Sequence, residues 1–202
     1  MRAEEQGVTD ADELALLLAR RRVPDADVAA IDAAVHARFG RTLAVMSTDL
    51  VGFSRVVEAF GILHFLQLIQ ESETLFLPLI RQHGGTCLKR EGDSLLAVFD
   101  TARDALAAAR AMLGATDHVN PGRAPEDRIE VCIGLGYGPV LFVDAADVWG
   151  AEVNAASRLG EDIAAGGELL VTDAFRLALP EEPFVARGTL FGRRPFYGQP
   201  AG

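Results

Sequence analysis

Leu43-Ala44-Val45-Met46-Ser47-Thr48-Asp49 is the stretch from which the fold is read. Four apolar residues run into three polar ones, the pattern of a buried strand that ends on an acid. Downstream, Leu50-Val51-Gly52-Phe53-Ser54 leads into a long apolar-patterned segment, Val56 to His83, closed by Gly84-Gly85. The spacing predicts one helix with Phe60, Leu63, Leu66 and Ile69 inward. Thr86 to Lys89 and Ser94 to Phe99 flank Arg90-Glu91-Gly92-Asp93, a hairpin with its turn near Gly92. Residues 101–113 are Ala-rich and helical, and 120–127 form a loop. Ile129, Val131, Ile133 and Leu135 then alternate with Glu130, Cys132, Gly134 and Gly136, the period of a strand. A helix over 151–164, a strand over 168–171, a short helix over 174–179 and two late strands follow.

From Thr42 the order is β-α-β-β-α-β. That predicts an α+β fold: a ferredoxin-like βαββαβ core with a C-terminal αβ extension. Upstream, residues 1–40 read as a separate small helical element. One helix ends at Arg20-Arg21-Arg22 before Pro24, and a second carries Val28, Ile31, Val35 and Phe39 before Gly40.

The chain has 202 residues, half of them hydrophobic and 24% charged, a globular composition that excludes disorder. Its formal charge of −10 makes it a poor generic partner for nucleic acid or an anionic membrane. A polyanionic substrate would need metal ions or a few placed cations. No apolar run reaches the length of a membrane span, and no basic-then-apolar leader opens the chain. Cys87 and Cys132 form neither a disulfide framework nor a zinc spacing, so a reducing cytoplasm is the expected compartment. The 19 basic residues are 18 Arg and a single Lys, Lys89.

In the ferredoxin-like arrangement the first and third strands are antiparallel neighbours. Asp49 ends one and Asp93 begins the other, so two carboxylates 44 residues apart meet at one end of the sheet. Taken singly, Asp49 reads as a helix cap and Asp93 as a turn residue. Taken together they suit divalent, oxygen-preferring cations. Val51, Gly52, Phe53 and Ser54 lie where a helix N-terminus offers backbone N–H groups to phosphate. On its own, that loop is accounted for as an ordinary strand–helix connection. Asn154 and Arg158, four residues apart, share one helix face, while Val153, Ala156 and Leu159 turn to the core. In so small and apolar a segment, a guanidinium there suits phosphate.

Three blocks closely resemble the class III nucleotidyl cyclase catalytic domain: Thr48-Asp49-Leu50-Val51-Gly52-Phe53-Ser54, Lys89-Arg90-Glu91-Gly92-Asp93, and Asp147-Val148-Trp149-Gly150 with Val153-Asn154 and Ser157-Arg158. The resemblance runs from about residue 42 to 198, in the family's order and spacing, and implies a division into the element 1–40 and a catalytic domain 41–202. It implies that Asp49, Asp93 and the Leu50 carbonyl hold two ions, Mg²⁺ or Mn²⁺. Lys89 and Asp147 match the pair that reads adenine, where guanylyl cyclases typically carry Glu and Cys. Asn154 matches the residue that orients the ribose, and Arg158 the cation that steadies the α-phosphate. Two departures stand out. Only Leu141 to Ala146 separate Gly138-Pro139-Val140 from Asp147, where many members carry a longer arm that embraces the partner. The family's late Lys for the terminal phosphates is missing; of Arg187, Arg193 and Arg194, Arg193 after Gly192 is the candidate.

The expected function is therefore an adenylyl cyclase that converts ATP to cyclic AMP and pyrophosphate, a homodimer with shared sites. The alternatives are a non-catalytic cyclase-homology module and a cyclase for another nucleoside triphosphate.

Overall fold

The computed structural model describes residues 9–143 and 146–200. Two N-terminal helices come first, α1 (Asp10–Arg21) and α2 (Val28–Phe39). Thr9 and Asp12 close a capping box on α1, and Asp27 caps α2 through the Ala30 N–H. Leu14, Ile31, Val35 and Phe39 are buried against Val143, so this element packs on the main sheet.

The core follows: β1 (Gly40–Leu50), α3 (Phe53–Phe60), α4 (Ile62–Gln82), β2 (Thr86–Glu91), β3 (Ser94–Phe99), α5 (Ala102–Val119) and β4 (Val131–Val143). The extension comprises β5 (Asp147–Trp149), α6 (Ala151–Ser157), a π-helical turn (Arg158–Ile163), β6 (Leu169–Thr172), α7 (Asp173–Ala178), β7 (Val185–Leu190) and β8 (Arg194–Gly198). The strands form one sheet in the order β2-β3-β1-β4-β6-β8-β7, with β5 folded back on the end of β4. β1 lies antiparallel between β3 and β4, and β4 runs parallel to β6. This is the expected βαββαβ core with its extension.

The long helix departs from expectation. It breaks at Gly61, whose φ of +86° is a left-handed conformation that Cβ-bearing residues avoid. Phe60, Leu63 and Leu66 are 53%, 76% and 49% exposed rather than inward. Residues spaced by three drift about 60° per step around a helix of 3.6 residues per turn, so they cannot hold one face. The buried positions of α4, Phe65, Leu68, Ser72, Phe76 and Ile80, keep 3-4-4-4 spacing and stay aligned. Ile69 is partly buried.

Two layers of core lie on the two sheet faces. Met46, Phe76, Phe99, Met112 and Leu135 belong to the larger, on the side of α4 and α5. Leu43, Val45, Val98, Val140, Val153 and Ala156 form a smaller cluster under α6. The alternation in β4 is therefore not apolar-in, polar-out, because both faces are covered. Gly134 and Gly136 lie where α6 comes closest. A Cβ would meet the Ala156 carbonyl oxygen at 2.1 Å or the Glu152 carbonyl oxygen at 2.6 Å. Among the described residues, no helix is long and apolar enough to cross a membrane.

Candidate active site

The strand register brings the two aspartates together. Thr48 pairs with Leu95 across β1 and β3, which sets Asp49 beside the turn that holds Asp93. Ser94 Oγ donates to Asp49 Oδ1 at 3.1 Å. Burial and then the Asp93 charge push the Asp49 carboxyl up to about 6; the Ser94 hydrogen bond opposes them, Glu161 adds a smaller push, and the Leu50 hydrogen bond opposes least. Burial raises Asp93 as well. Neither carboxylate has an ion-pair partner among the described residues. No group of three or more His, Cys, Asp and Glu among them is placed to hold a metal. The donor set is thus two carboxylates and whatever backbone oxygen lies near them. That suits Mg²⁺ or Mn²⁺, hard ions that take one or two carboxylates and complete their shells with water and phosphate.

Gly52 forms the N-cap of α3 with φ +94°, and no side chain caps the helix. Its first-turn N–H groups are left to another acceptor, next to Asp49 in the chain. The side chains of Phe53 and Ser54 lie outside the described residues.

Lys89 reaches its position through an irregularity in β2. Cys87 pairs with Ala97, but Lys89 pairs with Leu96, so Leu88 is the extra residue of a β-bulge. Regular pairing would set Lys89 opposite Leu95, whose side chain is in the larger core. The bulge instead turns it onto the face of Leu96, which packs with the cluster under α6. There Lys89 Nζ meets Asp147 Oδ1 at 2.8 Å. The hydrogen bond to Asp147 holds the Lys89 ammonium above its ordinary range. Asp147 also accepts from the Val148 N–H at 3.0 Å.

Asn154 and Arg158 are both exposed, while Val153, Ala155, Ala156 and Leu159 of the same segment are buried. Arg158 opens the π-helical turn and pairs with Asp162 at 2.8 Å. π-Turns are rare and gather at functional sites. Farther round the turn, Glu161 accepts from Ser47 Oγ at 2.7 Å and so stands near Asp49. Of the three late arginines, Arg194 pairs with Glu152 and Arg187 lies 3.7 Å from Glu168. Arg193 is exposed beside them at the β7–β8 turn, with no ion-pair partner among the described residues.

Glu161, Ser94 and Glu152 were not foreseen, and Arg194, weighed beside Arg193 for the terminal phosphates, is instead paired with Glu152. Glu152 carried one signal: it directly precedes Val153-Asn154. Cys132, opposite Asp49 in the register, has its thiol pushed up to about 11, chiefly by burial, and both cysteines are free. A cavity of about 520 Å³ lies at the other end of β1, between His36, Arg41 and Trp149, away from the carboxylates.

The fold and the three sequence blocks it carries define a nucleotidyl cyclase domain. Residues 35–190 match the adenylate and guanylate cyclase catalytic domain, and the chain belongs to that family. It is 32% identical over 134 residues to putative adenylate cyclase 3 of Rhizobium meliloti, covering 66% of this chain and 22% of that protein. It is 33% identical over 135 residues to an adenylate cyclase of Streptomyces coelicolor, covering 67% and 33%. The matched part thus spans a third or less of those relatives. An adenylate/guanylate cyclase/hydrolase from Silicibacter pomeroyi has a similar structure, with TM-score 0.67 and 30% identity over 81% of this chain and 99% of that one.

Proposed function

We propose that this chain is an adenylyl cyclase domain that converts ATP to 3′,5′-cyclic AMP and pyrophosphate at sites shared between two copies. The Lys89–Asp147 pair carries this reading. An ammonium donor and a carboxylate acceptor, fixed 2.8 Å apart, match the ring-nitrogen acceptor and exocyclic-amine donor of adenine. Guanine presents the opposite pattern on that edge. The curated relatives named as adenylate cyclases support the same choice.

Asp49, Asp93 and the Leu50 carbonyl would hold Mg²⁺ or Mn²⁺. The ions would supply acidity at the ribose 3′-hydroxyl and counter-charge for the triphosphate. Asn154 orients the ribose so that the 3′-oxygen stands in line with the α-phosphorus. Arg158, released from Asp162, meets the charge that grows on the α-phosphate oxygens. Arg193 and the N–H groups at Gly52, Phe53 and Ser54 take the remaining phosphates. The exposed apolar side chains of Phe60, Leu63 and Leu66 support a dimer, since a second copy would remove them from water.

The test is incubation of the purified chain and Mn²⁺ with ATP, GTP, CTP and UTP in parallel. Cyclic AMP is the expected main product. Preferential cyclic GMP would overturn the base assignment. No cyclic nucleotide from any of the four, at concentrations where the chain is dimeric, would favour a non-catalytic module.

A further inference from the structure

Glu152 is an acid in an unusual place. It is 5% exposed, in the first turn of α6, with its backbone against Gly136. Three elements converge on it. Thr172 Oγ1, at the end of β6, donates to Glu152 Oε2 at 2.6 Å. The Arg194 guanidinium, at the start of β8, forms an ion pair with Oε1. The same guanidinium reaches the Ala151 carbonyl at 3.4 Å. Both carboxylate oxygens are therefore engaged, as a buried charge requires.

The neighbours of this pair give it a purpose. Glu152 lies two residues before Asn154, and Arg194 directly follows Arg193. The helix that carries Asn154 has only seven residues. Helices that short do not hold themselves together in water and depend on tertiary contacts. It runs into a π-turn rather than a further α-turn, so no long α-helix carries Asn154 and Arg158. An apolar residue at 152 would pack but would not fix direction, because dispersion contacts have little angular preference. A carboxylate held from two sides does.

We propose that Glu152 and Arg194 form a latch that sets α6 and the β7–β8 turn as one unit, and so positions Asn154, Arg158 and Arg193 around the triphosphate. Both are positioning residues; neither touches substrate. The positioning role rests on the adenylyl cyclase reading above, whereas the mechanical coupling of α6 to β8 does not.

Three variants test it. Arg194→Gln strands a buried carboxylate and is expected to lower the melting temperature, so it is paired with the double variant Glu152→Gln/Arg194→Gln, which strands no charge. Hydrogen–deuterium exchange reads the latch without turnover. In the double variant, the amides of residues 151–158 and 190–198 should exchange faster while those of β1 and β4 are unchanged. With ATP and Mn²⁺, kcat should fall about tenfold with KM changed less than threefold, because Asn154 and Arg158 act mainly as the α-phosphate reacts. Arg194→Lys, which retains the charge, should recover part of the loss. Wild-type exchange and wild-type kcat in the double variant would overturn the latch. A uniform rise in exchange over the whole sheet would also overturn it, in favour of a general stability role. Local exchange changes in a chain that makes no cyclic nucleotide would leave the coupling standing and refute the cyclase reading instead.

Discussion

At the end of β1, Asp49 and Asp93 stand close, half-buried, with no ion-pair partner among the described residues. On the same sheet face, Lys89 and Asp147 neutralise each other at 2.8 Å. The first pair is strained as long as no cation joins it. The second is balanced before any nucleotide arrives. On the adenylyl cyclase reading proposed above, this difference would separate two tasks. A place that must capture divalent cations gains from unrelieved negative charge, whereas one that must read a neutral base edge gains from groups already held in register.

The largest effect should come from removing the strained pair. Asp49→Ala and Asp93→Ala are each expected to lower cyclic AMP formation by about 10³ or more, as loss of a charged metal ligand implies. EDTA should do the same to the wild-type chain, with circular dichroism showing the fold intact. Normal turnover in either variant would remove these residues from the metal site.

Next is Arg158→Ala, expected to lower kcat by about 10²–10³ through a contact made mainly in the transition state. Mixing it with Asp93→Ala probes whether the two halves act on one nucleotide from opposite subunits. Random exchange in a two-fold dimer makes half the dimers mixed, each with one intact site, so about a quarter of wild-type sites should return. If mixtures never exceed the sum of the separate activities while the wild type is active and dimeric, each chain builds its site alone.

A smaller change is expected in the balanced pair. Lys89→Glu with Asp147→Cys should shift the ATP:GTP preference by about tenfold or more, since a mismatched hydrogen-bonding group costs roughly 1–3 kcal/mol. An unchanged ratio would show that the pair does not read the base.

The smallest effect is on stability and has the opposite sign to the first. The Asp49 carboxyl sits at about 6 against an ordinary 3.8, so between these values the folded chain binds the proton more tightly than the unfolded chain. The stabilisation from protonated Asp49 is present below pH 4 and is lost as pH rises through 6. Asp49→Asn should therefore stabilise the metal-free protein above pH 6, by about 1 kcal/mol once solvent screening of the half-buried group is allowed for, with no gain near pH 4. Urea titrations at pH 4.5 and 8 would measure this, and equal effects at both would contradict it.

Much of this was legible in the chain. Strand periods and Gly-closed helices were enough for the βαββαβ order, because burial patterns repeat at 2 and 3.6 residues whatever the partner. Gly61 was the local signal that the long helix breaks, yet a glycine inside an apolar pattern does not say whether the chain uses its left-handed freedom. The bulge at Leu88 left no trace, since an extra residue is visible only in the pairing of two strands. Glu152 read as a polar neighbour of Asn154, because its partners Thr172 and Arg194 lie 20 and 42 residues away.

By itself, then, the sequence determined the βαββαβ order and which residue types could meet a metal, a base and a phosphate. These follow from local propensity and from three motif blocks in order. Only the tertiary structure decided that Lys89 faces Asp147 rather than the core, that Phe60, Leu63 and Leu66 face solvent, and that Glu152 is paired. Each of these depends on strand register or helix phase. A shift of one residue flips a strand side chain to the other face and turns a helix side chain by about 100°, and both are set by the packing of the whole sheet.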